Sequence, residues 1–491
     1  VTFNLTLIAI FTAGGFIYSL ILPKSWRKWT LFIASILAVY ALQPPLLIRN
    51  MDFILPTVTI FVTVFVWIAT LPRQDNQLRI TIQWRDLFTI AVLMLLITGL
   101  AMTRFLPSEW QLLTASRPPA PLDVFLALFP LALLIILVGG IQINQPRQKV
   151  LLSLMILVII GVFIILKTDR LALAFSGWLR EQTGRDATLA NPLTDLNWLG
   201  FSYVAFRLIH VLRDRQTGKL PDVSLRDMLT YIIFFPSLTA GPIDRIERFQ
   251  EDLVALPEMN GRDPSRIVIG STRIVIGIFK KFVVADTLAL FALTATNAGQ
   301  VTYAGGMWVL LYGYAFRLFF DFSGYSDIAI GIGMLFGVQL PENFNRPYLK
   351  NSITSFWQSW HITLSNWVRF YIFSPLTRTM LRWKRKPSSD VIVGIGLVAT
   401  MVIIGLWHGI SFTFFIWGLW HATGLFIHKM WSDRTRKWYN QFKKKQGQLR
   451  LWNWAGIFIT FHFVVVGWVW FVMPDVGSAL SVLSKLAGVG F

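Results

Sequence analysis

The feature that most constrains this chain is a series of solidly apolar runs about as long as a bilayer is thick. They occupy residues 5–22, 29–49, 52–71, 87–103, 123–142, 149–167, 391–407 and 453–473. Each is close to the roughly 20 residues an α-helix needs to cross the hydrocarbon core. Strands of a membrane barrel would alternate apolar and polar residues over about 10 positions, and these runs do not. The expected fold class is therefore all-α, a polytopic transmembrane helical protein passing many times through an inner or plasma membrane. Only 14% of residues are charged and mean hydropathy is +0.58, too little charge to cover a water-soluble surface of this size.

The charge that is present carries topology. A formal charge of +20 suggests nucleic acid until its positions are read. Lys and Arg gather in short loops between apolar runs, the positive-inside pattern, so nucleic acid is not an expected partner. Segment 378–386 holds Arg378, Arg382, Lys384, Arg385 and Lys386, and segment 429–450 holds eight basic residues including Lys443, Lys444 and Lys445. Both are expected on the cytoplasmic side, so the stretch 391–428 must cross out and back. At 1.5 Å per residue the run 391–407 climbs about 25 Å, which carries His408 toward the outer half. The chain begins at Val1, and the first apolar run reads as a retained span rather than a cleaved signal.

Residues 1–168 read as N-terminal membrane helices with few polar groups. From about 190 to 475 the apolar segments shorten, carry charges and are broken by Gly and Pro, followed by a tail at 476–491. Irregular backbone at membrane depth survives only where it is buried in protein or lines a wet cavity, so the second region should hold any site. Its histidines stand out. The chain has 21 Trp and 6 His, so random order would give about a quarter of one Trp-His pair. There are three: Trp360-His361, Trp407-His408 and Trp420-His421.

An ionisable side chain inside a membrane domain is a functional candidate by default. His408 sits in "GLWHGISF", where Gly405 and Gly409 permit close approach of a backbone or a substrate. His361 lies in a run of Gln358, Ser359, Thr363, Ser365 and Asn366 interleaved with tryptophans, which reads as a helix lying at the interface or dipping into the core. His421 and His428 fall seven apart on one helix, but no third ligand stands at metal spacing and no metal site is expected. His210 and His462 read as structural. In "RLFFDFSGYSDIAIGIGMLFG" Arg317 and Asp321 are placed to pair at i, i+4, Asp327 lacks a local partner, and Gly331, Gly333 and Gly337 suggest close helix packing. Lys280 and Lys281 in "GIFKKFVVAD" either snorkel to headgroups or meet an anionic donor. Without Cys an acyl-cysteine intermediate is excluded.

Taken in order, "FFPSLTAGPIDRIERF", "GIFKKFVVAD", "DFSGYSDIAIGIGMLFGVQLPENFNRPY", "SITSFWQSWHITLSNWVRFYIFSPL" and "LWHG" resemble the membrane-bound O-acyltransferase (MBOAT) family. The likeness is to its bacterial polysaccharide-modifying branch, over roughly 195–475. The chain has Asn366 and Val368-Arg369-Phe370 where relatives tend toward a "WFRDY"-like run, so an acidic contact is missing there. The resemblance implies a ring of tilted helices around a central funnel, with His408 the buried essential histidine and His361 the second. It implies acyl transfer from a thioester to hydroxyls of an extracytoplasmic glycan. Trp360, Trp407, Asn366, Asp327 and Lys281 are the expected substrate contacts. No tightly bound cofactor is expected; the donor would be acetyl-CoA or another acyl thioester. Expected partners are membrane lipid, the glycan acceptor and a periplasmic or extracellular acetyltransferase.

Histidine is the side chain whose ordinary pKa suits deprotonation of an attacking hydroxyl near neutrality. Direct transfer is the simplest scheme, with an acyl-serine step as an alternative. Two other functions fit parts of the pattern: D-alanyl transfer to a teichoic acid-type polymer, and a polysaccharide transporter or flippase subunit.

Overall fold

The computed structural model describes residues 4–71, 82–107, 111, 113–139, 145–261 and 263–489. Among these the chain is helical, and its only extended pairing is a lone antiparallel bridge between Phe344 and Trp360. Six described helices are long and apolar enough to cross a membrane: Met51–Ala69, Trp84–Phe105, Pro146–Lys167, Ala304–Leu335, Ser389–His408 and Gln446–Val472. Their outer faces leave large apolar side chains bare, among them Leu154, Leu157 and Val158 on one helix and Phe458 and Ile459 on another. Patches of this kind are a liability in water and ordinary in lipid.

The run 29–49 does not form a single span. Its helix covers Arg27–Ala41 and stops there, because Pro44 and Pro45 follow and proline both lacks an amide hydrogen and disfavours helix in the residue before it. The run 123–142 becomes helix Pro121–Gly139, and residues 140–142 lie outside the described residues. The expected tail folds into helix Val476–Leu486, where Asp475 accepts a hydrogen bond from the Ser478 amide at 2.9 Å; residues 490–491 lie outside the description.

The chain divides into two compact units. The first comprises Val1–Thr272 with Ala329–Leu340, and the second Arg273–Ile328 with Pro341–Phe491. In the first, buried Arg207 donates to the carbonyls of Tyr231, Ile232 and Ser237, fixing the irregular backbone that begins "FFPS". Gly331 does serve close packing, its carbonyl lying 3.1 Å from where a Cβ on Gly270 would fall. Gly337 acts differently. Its φ of 82° lets the chain turn at the end of helix Ala304–Leu335, where glycine commonly terminates a helix.

In the second unit two helices cross at Gly277 and Gly324. A Cβ on either would sit within 2.8 Å of the other's carbonyl oxygen, the small-residue contact that lets membrane helices pack closely. Just beyond, residues Phe279–Ala285 widen into a π-helix. Helices Ser389–His408 and Phe412–Phe442 form the expected hairpin. Lys429 pairs with Asp390 across its base, so the basic segments at 378–386 and 429–450 flank the same end. His408 is eighteen residues along from Asp390, roughly 27 Å of helix. Glycines zip the seam: a Cβ on Gly405 would lie 2.3 Å from the Phe414 carbonyl oxygen, and one on Gly418 2.7 Å from that of Met401.

Candidate functional site

The segment around His361 is a broken helix, not the continuous interfacial one expected from its sequence. Ser352 caps a short helix, Ile353–Trp357, by accepting from the Ser355 amide. The helix stops, and a second one, Ile362–Val368, begins after His361. The break is strapped to residues 343–345. The Ile362 amide donates to the Asn343 carbonyl at 3.0 Å and the Asn345 amide to the Ser359 carbonyl at 3.0 Å. The Asn343 side chain, fully buried, accepts from the Thr363 hydroxyl at 2.6 Å and donates to the Ser326 hydroxyl at 3.3 Å. So held, His361 takes φ 42°, ψ 54°, a left-handed conformation that costs a side-chain-bearing residue roughly 1–2 kcal/mol. Such outliers persist where surroundings over-determine them.

The strap aims the His361 ring inward. It is 2% exposed and packs edge-on against Phe322, centroids 4.7 Å apart. It also meets Trp407, at 5.8 Å. Trp407 also touches His408 at 4.7 Å, so one indole is shared by the two imidazoles. His408 ends its helix at the hairpin turn and is only half-buried. The resemblance implied a buried His408; of the two rings it is His361 that is enclosed. Around His408 stand Phe414, Trp417 and Phe471.

The third Trp-His pair belongs to the same cluster. Trp417, 1% exposed, touches both His408 and His421, at 5.9 and 4.8 Å. His421 is fully buried, and its Nδ1 accepts from the Trp357 indole at 3.3 Å, which puts the proton of the neutral ring on Nε2. Among the described residues, none pairs with His361 Nε2, His421 Nε2 or Trp417 Nε1. Buried polar atoms are nearly always satisfied in folded proteins, and three exceptions on one aromatic cluster single it out as the candidate site. Chemically, it offers one enclosed, fixed imidazole and one more open, suited to hydrogen bonding and proton transfer.

The other expected contacts divide. Trp360 is 5% exposed and walled by Phe344, Phe356, Tyr348 and Trp468, so it braces the cluster from behind. Asn366 lies on the exposed face of its short helix. Lys281 pairs with Asp321, which is thus taken by the π-helix rather than by Arg317. Lys280 pairs with Asp327 at 2.6 Å, giving Asp327 a partner 47 residues away that local spacing could not reveal. The described contacts of Lys281 and Asp327 do not reach the histidines. His428 binds the Thr354 hydroxyl at 3.0 Å, and His462 the Tyr312 hydroxyl at 2.8 Å.

Sequence reasoning missed three contributors. His421 carries a signal as the third Trp-His pair, but the only role its spacing suggests is that of a metal ligand. Asn343 and Trp417 carried none.

One group in the first unit has the donors for a metal: ligand atoms of His210, Asp214 and Glu247 lie within 4.8 Å of one another. Arg245 occupies the same carboxylates, at 3.3 Å from Asp214 and 2.8 Å from Glu247, which makes this an ion-pair cluster. Burial opposes a charge on His210, but hydrogen bonds and attraction from Asp214 and Glu247 outweigh it and raise its pKa above the ordinary value.

Residues 53–469 match the family described as MBOAT, membrane-bound O-acyltransferase, a match that begins well inside the N-terminal helices. A teichoic acid D-alanyltransferase from Streptococcus thermophilus is 34% identical over 58% of this chain and 71% of its own length. A peptidoglycan O-acetyltransferase from Helicobacter pylori is 36% identical over 54% of this chain and 47% of itself. A protein named a probable alginate O-acetylase from Pseudomonas putida is 38% identical over 60% and 55%. The match thus spans about half the length of the latter two.

Proposed function

The chain belongs to the membrane-bound O-acyltransferase family, and on that footing we propose that it moves an acyl group, acetyl in the first instance, from a thioester donor to hydroxyls of an extracytoplasmic polysaccharide. The observation that carries this reading is the convergence of His361 and His408 on Trp407. An unprotonated nitrogen of His408 takes the proton of the glycan hydroxyl as its oxygen attacks the thioester carbonyl carbon. The tetrahedral intermediate collapses, the carbon–sulfur bond breaks, and the proton passes from His408 to the departing thiolate. His361, enclosed and held by its strap, orients the reacting groups through its inward-facing Nε2. The donor is an acyl thioester such as acetyl-CoA, with no tightly bound cofactor, and it approaches from the basic end of the hairpin, where positive potential favours an anionic head. A periplasmic or extracellular acetyltransferase is the natural partner, and the inner or plasma membrane the location.

D-alanyl transfer to a teichoic acid-type polymer is the second reading, favoured by the 71% of the Streptococcus relative that the match covers. Membership in a family of acyl-transferring enzymes decides against the transporter. The test is His408→Ala in a strain lacking the native copy. Loss of the base lowers transfer roughly 100-fold or more, read as acetyl and D-alanyl content of the surface glycan. Undiminished acylation at matched expression would refute the role of His408.

A further inference from the structure

Helices Phe412–Phe442 and Gln446–Val472, closed at one side by Asn351–Ile353, border a cavity of about 660 Å³. Its inner stem is formed by Gly424, Ile427, Ala455, Ile459 and Phe463, and its mouth by Ser432, Thr435, Arg436, Tyr439 and Asn440. From Gly424 to Asn440 is roughly 24 Å of helix, on the order of one leaflet with its headgroup layer.

The two ends differ in chemistry. Along the stem, Ile427 and Ile459 are 62% and 66% exposed, so the wall opens sideways onto the surface where lipid tails would lie. Nearer the mouth stand aromatic rings of the kind that settle at headgroup level. Trp431 stacks on Trp452 at 5.8 Å, and Trp438 packs against Trp452 and Phe442 at 5.6 and 4.9 Å. Arg436 is exposed at the rim. Asp433, one turn away on its helix, is already paired with Lys429 at 3.1 Å, and no carboxylate among the described residues pairs with Arg436.

We propose that this groove is a binding site for an anionic phospholipid, one acyl chain lying along the stem and the phosphate held by Arg436 with the Tyr439 and Asn440 side chains beside it. The amide-bearing arm of a thioester coenzyme fits the stem poorly. Two amides would need partners, and the polar side chains that could serve them are already engaged: Asn351 donates to Asn453, Ser352 bonds Ser355, and His428 Nδ1 is held by the Thr354 hydroxyl. The floor of the groove gives the site a physical link to the histidine cluster. Phe463 stacks on Trp420 at 4.8 Å and contacts His421 at 5.9 Å, so an acyl chain seated on Phe463 braces the ring beyond it.

The test uses the full chain, delipidated in detergent, with phosphatidylglycerol and phosphatidylcholine of matched acyl chains as probes and native mass spectrometry as the readout. Phosphatidylglycerol should be retained about five-fold better, the scale of one basic residue against an anionic headgroup. Arg436→Gln should erase that preference, and Ala455→Trp, which fills the stem from an exposed position, should lower retention of both lipids. Equal retention of the two lipids by the wild type would overturn the proposal, as would variants that bind like the wild type. Displacement of bound phosphatidylglycerol by stoichiometric acetyl-CoA would also overturn it, by giving the groove to the donor.

Discussion

Replacing Asn343 by alanine tests whether the strap positions His361. The change removes three buried hydrogen bonds: the side chain accepts one from the Thr363 hydroxyl at 2.6 Å and a long one from the Thr363 amide at 3.4 Å, and gives one to Ser326 at 3.3 Å. It leaves the backbone bond from Ile362 in place. Each lost bond is worth about 0.5–1.5 kcal/mol net, so the folded state should lose about 2 kcal/mol. That is comparable to the roughly 1–2 kcal/mol by which a left-handed histidine is disfavoured, so the His361 backbone is free to relax. A reacting group displaced by about 1 Å can lose on the order of 100-fold in rate. Thermal unfolding in detergent reads the first quantity, and single-turnover acyl transfer well below the unfolding temperature reads the second. Pairing the variant with Thr363→Val isolates the shared bond, whose coupling should be about 1 kcal/mol. A variant that loses stability yet transfers at the wild-type rate would show that the strap holds the fold and has no part in placing the histidine.

Three further outcomes are expected. Gly405→Leu should destabilise the protein by about 3 kcal/mol or more, because its Cβ meets the Phe414 carbonyl oxygen at 2.3 Å; recovery of a fully stable but inactive protein would instead make Gly405 a passage for substrate. His210 has a pKa raised above the ordinary 6.5 by Asp214 and Glu247 against the effect of burial, so its contribution to stability is complete below about pH 6.5 and fades as pH rises through the folded-state value. The midpoint of thermal unfolding should therefore fall across that window, and His210→Gln should flatten the slope. The chain has no cysteine, so single cysteines placed at Ser388 and Ser432 can be labelled cleanly; both should react from the cytosol alone, and labelling of either from outside would invert the hairpin.

Much of this was legible in the sequence because lipid makes strict demands. A span must be long, apolar and helical, so the runs at 391–407 and 453–473 reappear as helices Ser389–His408 and Gln446–Val472. The Trp-His pairs were legible by rarity alone. Pairing across distance was hidden. Lys280 meets Asp327 only because a glycine crossing and a π-turn bring together residues 47 apart. The break at His361 was hidden too, since the polar run 358–366 fits an interfacial helix equally well. What interrupts it is a hydrogen-bonded strap from Asn343, and periodicity carries no trace of that. The prolines at 44 and 45 were visible, and they outweigh the hydropathy that made 29–49 look like one span.

The zipped hairpin has a bearing on leakage. A catalyst of the proposed kind, fed from both faces of a membrane, must open a path to each substrate without joining the two into a pore. Where Gly405 lies on the Phe414 carbonyl and Gly418 on that of Met401, backbone meets backbone and the seam leaves no room even for a methyl group. That hairpin is then a septum. On the proposed function, whatever reaches His408 has to come along its flanks, where the donor and the sugar, bulky and transient, can plug the openings they use.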